Sequence, residues 1–444
     1  MDYERRKGVR LKAVINGGVS ENNQTCYSRR VIDTELDDLF PALSAIALEG
    51  PKGVGKTATA ERRVATIFRM DALHDLELIR ASPDIIKTSQ QPVLIDEWQR
   101  HPPVWDLVRR AVDDTQGTSR FLLTGSAAPK NAPIHSGAAR IDSLRMRPMS
   151  FAERNIETPT VSVLDLFTGH AAIGGETEID LEGYVQEIVA SGFPGIRSLP
   201  GRARRLRLDG YVQRVVEHEV VDEGMLRRQP AQLKSWMAAY AAATGSTATS
   251  ITIAQAASSG SDVPARSTTE RYRDALTQLW LLDPVPAWHP GNDFARLSLS
   301  PKHFLADPAL SARLLGLDEP RLLAGARTKM LGPQDRTALG ALFEALVALS
   351  LQTYAQAAEA VVQHIRTSRG DHEIDFLLHR NDGTNIAVEV KLTGAPDSSD
   401  VRHLLWLKEQ LGEDLTDMVL IYTGSHAYRR QDGVAVVPLA LLGP

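Results

Sequence analysis

Three patterns of apolar and polar positions follow one another along the chain, and each predicts a different kind of element. Short apolar runs at 45–48, 92–95 and 121–123, bounded by polar or turn residues, predict strands of a parallel α/β sheet. Residues 161–175 read as loop, and 181–190 as a helix that stops at the breaker cluster Ser191-Gly192-Phe193-Pro194-Gly195. A helix at 233–244, a short apolar run at 251–257 and a helix from Ser267 follow. In the last, Tyr272, Ala275, Leu276, Leu279 and Trp280 recur at three- and four-residue spacing, with Arg271, Arg273 and Gln278 outward. Ser267 and Glu270 match a capping box at its start. Residues 372–378 and 386–392 are strand-like and flank Asn381-Asp382-Gly383, which predicts an antiparallel hairpin. The expected organisation is an N-terminal extension (1–26), an α/β core (27–160), a helical lid (161–230), a winged-helix-like domain (231–323) and an α/β C-terminal domain (324–444).

The first apolar run leads into Gly50-Pro51-Lys52-Gly53-Val54-Gly55-Lys56-Thr57 and then into 58–63, which favours helix. Strand, glycine loop and helix in that order make a P-loop. Phosphate oxygens need closely spaced backbone N–H donors, which a loop poor in side chains offers, and the helix that follows adds its positive end. Lys56 would reach the β- and γ-phosphates of ATP, and the Thr57 hydroxyl would ligate Mg. The second run ends in Asp96 and Glu97, at the carboxyl end of its strand, where the active residues of parallel sheets collect. This resembles a Walker B segment. Asp96 would hold the metal through water, and Glu97 would orient or deprotonate the attacking water. Thr124 in Thr124-Gly125-Ser126 would sense the γ-phosphate, or simply begin a strand-end turn.

Composition then removes alternatives. The 444 residues exceed one hydrophobic core. With 43% hydrophobic and 24% charged residues the chain reads as soluble and globular, and no run approaches the roughly 18 apolar residues of a membrane helix, so no membrane partner is expected. Residues 1–16 are basic without an apolar segment or cleavage site, which does not read as a secretory signal and leaves a cytoplasmic location as the expectation. Cys26 stands alone, without a partner for a disulfide or a structural zinc. A net charge of −5 confines any contact with DNA or RNA to a local patch. The densest is Arg197, Arg202, Arg204, Arg205, Arg207 and Arg214, for which a solvated helix face is the competing reading.

Tyr27-Ser28-Arg29-Arg30-Val31-Ile32-Asp33, the P-loop, Leu94-Ile95-Asp96-Glu97-Trp98-Gln99, Leu123-Thr124-Gly125-Ser126 and His135-Ser136-Gly137 to Arg140 together resemble a family of prokaryotic AAA-type P-loop ATPases whose C-terminal half is the domain of unknown function 4143. The resemblance runs from about Tyr27 onward. Ser28 stands where the family often has proline, a departure in the expected entry strand. The resemblance implies that Arg140 stabilises charge on the transferring phosphate, from its own subunit or a neighbour's, with a surface salt bridge as the alternative.

Side chains alternate across a strand, so Glu389 and Lys391 share one face, and a loop symmetric about Asp382 sets Asp375 opposite Glu389. Opposed residues lie about 5 Å apart at Cβ, which suits two carboxylates sharing a magnesium ion and a lysine holding water or phosphate. Such spacing resembles the PD-(D/E)XK, restriction-endonuclease-like core. That resemblance implies a further acidic residue on the preceding helix, and Glu344 stands in its place, giving Glu344, Asp375 and Glu389 as metal ligands beside Lys391. Ion pairs on an exposed hairpin face are the bland alternative.

Two functions remain in competition, with phosphoryl transfer to a small acceptor as a third that leaves Glu97, Thr124 and the C-terminal half idle. One is an ATPase coupled to nucleic-acid binding or processing. The other is a nucleotide-dependent switch for a protein partner, its nuclease-like domain serving only recognition. Oligomerisation is compatible with either.

Overall fold

Five strands pair in parallel through the first half of the chain: β1 (Ala45–Glu49), β2 (Thr66–Arg69), β3 (Val93–Asp96), β4 (Phe121–Gly125) and β5 (Asp142–Arg145), in the order β2-β3-β4-β1-β5. They belong to a computed structural model that describes residues 27–444 apart from 115–116, 128–137, 221–229, 259–262, 289–299, 328–336 and 368–370. The expected extension 1–26, Cys26 and His135 to Gly137 lie outside the described residues.

The apolar runs are continuous because both faces of the sheet are covered. Ile46, Leu48, Leu94 and Leu122 face a core shared with Ile32, Leu36, Ile196 and Leu208. Ala45, Ala47, Val93, Ile95, Phe121 and Leu123 face the opposite core with Ile79, Val104 and Val108. Burying one such aliphatic side chain contributes roughly 1.5–3 kcal/mol. The order sets β4 between the P-loop strand β1 and the carboxylate strand β3, so Thr124 lies beside Asp96 rather than at an edge. The expected entry strand is instead a loop followed by the helix Val31–Leu39. Asp33 starts that helix by accepting the Arg30 backbone N–H at 2.7 Å, which satisfies a donor that the first turn leaves open.

The segment 161–230 divides between two cores. Its helix Leu181–Ala190 buries Tyr184, Val185 and Ile188 with Phe343 and Leu346 of the C-terminal unit. The helix Gly201–Arg214 buries Leu208 and Val212 against the core of the five-stranded sheet. Three helices follow, Pro230–Ala242, Ser250–Ala257 and Arg266–Gln278, and then extended segments that pair at Leu282 with Leu305 and at Val285 with Lys302. The expected capping box is not formed. The helix begins at Arg266, so Ser267 and Glu270 lie inside its first turn, and Glu270 instead accepts from the Arg266 guanidinium at 2.8 Å.

The C-terminal unit is a sheet of β7 (Ala360–Arg366), β8 (Glu373–Arg380), β9 (Asn385–Val390), β10 (Leu415–Tyr422), β11 (Tyr428–Arg429) and β12 (Ala435–Pro438), ordered β11-β12-β10-β9-β8-β7. β7, β8 and β9 run antiparallel, and β10 pairs in parallel with both β9 and β12. The helix Ala338–Ala357 covers one face with Phe343 and Leu346 over Phe376, Val388 and Val419. The helix Arg402–Leu411 covers the other with Leu404 and Leu407 over Leu377, Ala387 and Leu420. Ala338–Ala357 corrects the expectation that no apolar run approaches membrane length: by length and composition it does. Its apolarity has a local cause, since neighbours surround most of its circumference and bury Leu339, Leu342, Phe343, Leu346, Val347 and Leu349.

Residues 161–166, expected as loop, form β6 (Val161–Ser162) and a short helix, and β6 pairs in parallel with β13 (Leu442–Gly443). The pairing is non-local, so neither partner carries a periodic signal of its own.

Candidate functional site

The P-loop turns on glycines that a side chain would not allow. Gly53 and Gly55 hold φ of 87° and 107°, in the left-handed region, and a Cβ on Gly50 would sit 2.1 Å from the Met146 carbonyl oxygen. Val54 is buried, and its carbonyl accepts from the Arg30 guanidinium at 2.9 Å. Arg30 also donates to the Arg147 carbonyl at 2.8 Å and pairs with Glu153 at 3.0 Å, all of it buried. Glu153 accepts in addition from the backbone N–H groups of Val31 and Ser150, at 2.8 and 2.7 Å. Lys52 points outward to Glu219 at 3.1 Å.

Lys56 is buried and donates to the Gly50 and Pro51 carbonyls at 2.7 and 3.0 Å. Burial lowers its pKa from an ordinary 10.5 to about 8, against the opposing pull of Glu97 and Asp96. Thr57 donates its hydroxyl to Asp96 Oδ1 at 2.7 Å, and the Thr124 hydroxyl donates to the same oxygen. Three strand or loop ends, those of β1, β3 and β4, therefore meet at one carboxylate oxygen.

Glu97 holds φ 52°, a left-handed conformation for a residue with a side chain, at a cost on the order of 1–3 kcal/mol. The turn lifts its carboxylate off the end of β3, where the Gln99 amide donates to it at 2.6 Å and to the Ser126 hydroxyl at 3.2 Å. Gln99 lies within the motif quoted for the resemblance, yet nothing in its position reveals that it would hold Glu97. Arg140 stands apart: it is exposed, and pairs with Asp113 at 2.9 Å. In the basic patch, Arg197 pairs with Glu187 and Arg204 donates to the Leu199 and Arg197 carbonyls, while Arg202, Arg205, Arg207 and Arg214 lie on the exposed side of their helix.

A second group of ionisable residues lines a cavity of about 610 Å³ in the C-terminal unit, containing Glu344, Glu373, Asp375, Glu389, Lys391 and His403. The hairpin register sets Phe376 opposite Val388, and its continuation brings Asp375 to Glu389 as the symmetric loop predicts. Asp375 accepts the Val390 N–H at 3.0 Å, and Lys391 reaches Glu389 at 3.2 Å. All four sequence-derived residues thus share one cavity, but two further groups complete it. Lys302, fully buried, donates to Asp375 at 2.7 Å and to Glu344 at 3.1 Å and lies 3.4 Å from Glu373.

Electrostatics separate these carboxyls. Burial opposes ionisation of Asp375, but the Lys302 and Lys391 charges outweigh it and hold Asp375 well below the carboxylate range. Burial and the nearby Asp375 charge push Glu389 well above its usual range. As a shared set of metal ligands Glu344, Asp375 and Glu389 are not assembled: among the described residues no three acidic or histidine side chains converge at metal-binding spacing. The physical reason is Lys302, whose ammonium stands between Glu344 and Asp375.

Comparison with known families divides the chain in three. A family described as an AAA domain matches residues 43–155, a domain of unknown function, DUF8612, matches 181–321, and the domain of unknown function DUF4143 matches 339–442. The chain thus contains an AAA domain and a C-terminal DUF4143 domain, and the middle match runs across the boundary expected at 230. Uncharacterized proteins Rv2008c of Mycobacterium tuberculosis and Mb2031c of Mycobacterium bovis are each 26% identical over 402 residues, covering 88% of this chain and 79% of theirs. Among solved structures, the Walker-type ATPase PABY2304 of Pyrococcus abyssi is similar with a TM-score of 0.38 and 12% identity, covering 66% of this chain and 97% of that one.

Proposed function

We propose that the N-terminal half hydrolyses ATP with the help of magnesium. The observation that carries this reading is the meeting of Thr57 and Thr124 on one oxygen of Asp96, at the mouth of the glycine loop that ends in Lys56. A hydroxyl and a carboxylate side by side form an oxygen donor set suited to a hard divalent cation. Thr57 and Asp96 are the residues that would hold it, and when bound it neutralises charge on the phosphate oxygens. The N–H groups of 50–57 and the Lys56 ammonium grip the phosphates. Glu97 accepts a proton from the attacking water, and its hydrogen bond to Gln99 orients the carboxylate while water is recruited. Thr124 ties the strand between them to the state of the γ-phosphate. Arg140, exposed, acts on a phosphate held by a neighbouring copy. The test is magnesium-dependent phosphate release: wild-type turnover in Glu97→Gln would remove Glu97 from the chemistry.

Coupling to DNA or RNA is the further part of this proposal. The element order helix, three antiparallel strands, helix and parallel strand, with Asp375 beside Glu389, supports a nuclease-like reading of the DUF4143 domain. Lys302 among those carboxylates favours the second reading, a nucleotide-dependent switch in which the C-terminal domain recognises a partner without cutting. Both are tested in one set of tubes, with ATP hydrolysis and nucleic-acid integrity followed together. Cleavage lost in Asp375→Ala supports processing, and hydrolysis indifferent to nucleic acid with no cleavage supports the switch.

A further inference from the structure

Lys302 lies outside both sites read from the sequence, yet it pairs with three of the carboxylates that line the C-terminal cavity. Its ammonium is fully buried and faces three carboxylates, Asp375 at 2.7 Å, Glu344 at 3.1 Å and Glu373 at 3.4 Å. Taking an ammonium out of water costs several kcal/mol unless charges compensate it. Here three carboxylates compensate it, all within 3.4 Å of the ammonium. Carboxylate oxygens are also the donors that a hard divalent metal takes.

The fourth acid is left over. Glu389 is 3% exposed and lines the same cavity. Its Oε2 meets Lys391 at 3.2 Å, while its Oε1 is buried with no hydrogen-bond partner. A carboxylate oxygen buried without a partner is costly, on the order of 1–3 kcal/mol, and native proteins retain few of them. The orphaned oxygen belongs to a residue that lines the same cavity as Glu344 and Asp375, where a cation would supply its missing partner.

Lys302 comes from outside the DUF4143 match. Its backbone exchanges both hydrogen bonds with Val285 at 2.9 Å, and the same ribbon bonds to β7 through Trp288 and His364 at 2.7 Å. Two residues before Val285, Asp283 is gripped by Arg145 and Arg147 at 2.8 Å, at the end of the ATPase sheet's edge strand β5. The ammonium is therefore delivered to the cavity by a ribbon fastened to the ATPase core.

We propose that Lys302 is an internal counter-cation that takes the place of a divalent metal between Glu344 and Asp375, beside the cavity that Glu389 lines, and so keeps the C-terminal pocket closed to metal. The inference rests on the reading of that pocket as a nuclease-like cation site. It adds the statement that the pocket is shut in this conformation by a residue from outside the DUF4143 match, and that displacement of the paired segments 282–288 and 300–305 is what opens it.

The test is manganese binding to the nucleotide-free full-length chain, followed by electron paramagnetic resonance, in wild type, Asp375→Asn, Lys302→Met and Lys302→Met/Asp375→Asn. Lys302→Met should gain one manganese site relative to wild type, with affinity raised on the order of 10- to 100-fold, the range over which groups around a metal move its binding. The double variant should lose it. If wild type already binds in the pocket as tightly as Lys302→Met and loses that site in Asp375→Asn, the metal site stands and the plug is wrong. Should folded Lys302→Met gain nothing, the cation-site reading itself fails and the plug with it. Lys302→Gln keeps an N–H donor for Asp375 while removing the charge, and it carries the same comparison if Lys302→Met loses its cooperative thermal transition.

Discussion

Arg30 and Glu153, 123 positions apart in sequence, form a buried ion pair of 3.0 Å directly beneath the P-loop. Because Arg30 also donates to the carbonyl of Val54, the pair holds the loop backbone from below. The two residues before Glu153 extend the contact to the C-terminal unit. The Phe151 N–H donates to Ser350 at 3.0 Å and the Ala152 N–H to the Tyr354 hydroxyl at 2.9 Å. Glu153→Ala leaves the guanidinium buried and uncompensated, and should destabilise the chain by roughly 3–5 kcal/mol in urea unfolding. A change under about 1 kcal/mol, the level of an exposed pair, would show that the pair is not holding the loop.

Lys56 sets a pH dependence on phosphate binding. With a pKa of about 8 in the nucleotide-free protein, its ammonium is charged below that pH and neutral above it. Nucleotide affinity should hold steady from pH 6 to 7.5 and then fall by up to about tenfold per pH unit above 8. Lys56→Arg should flatten that fall. The stability sign is opposite. Between pH 8 and 10.5 the unfolded chain binds the extra proton, so unfolding free energy should rise with pH over that window, and a flat profile in titration calorimetry and unfolding would contradict both statements.

Glu97→Gln should retain nucleotide while turnover drops on the order of 10²- to 10⁴-fold, the usual contribution of a positioned base. Gln99→Ala should reduce kcat and leave nucleotide affinity within a few fold, since Gln99 touches Glu97 and Ser126 and none of the loop N–H groups. Equal losses in affinity and kcat would make Gln99 a packing residue.

Asp283 is buried against Arg145 and Arg147, and although burial opposes ionisation, the two guanidiniums lower its pKa. Its stabilisation is fully present above the ordinary carboxylate pKa and is lost as pH falls below that value through the lower folded-state pKa. Asp283→Asn should cost roughly 3–5 kcal/mol at neutral pH and remove part of the acid sensitivity. Differential scanning calorimetry at pH 7 and about pH 3 reads both, and an unchanged difference between the two pH values would sink the assignment.

Much of the candidate nucleotide site was legible in the sequence because its parts are contiguous: a glycine loop ending in Lys56 and Thr57, and a strand ending in Asp96 and Glu97. The hairpin was legible for a related reason, since symmetry about Asp382 determines which residues oppose each other. Lys302 was not, because it lies 42 residues from Glu344 and 73 from Asp375 in a segment with no periodicity of its own. The capping box failed because Ser and Glu three apart also fit within a first turn. The long apolar helix was missed because Gly340, Glu344, Ser350, Gln352 and Thr353 interrupt its apolar run in sequence, although neighbours enclose most of the helix in space.

Gly50 presses so closely on the Met146 carbonyl that position 50 admits no Cβ without moving the end of the edge strand. The constraint falls on the backbone path at 146, whatever side chain it carries. Recombination between homologues is thereby constrained: a P-loop grafted from one relative will seat only if the 142–147 segment is inherited with it, and a crossover between the two is expected to yield a chain whose loop and edge strand compete for the same space.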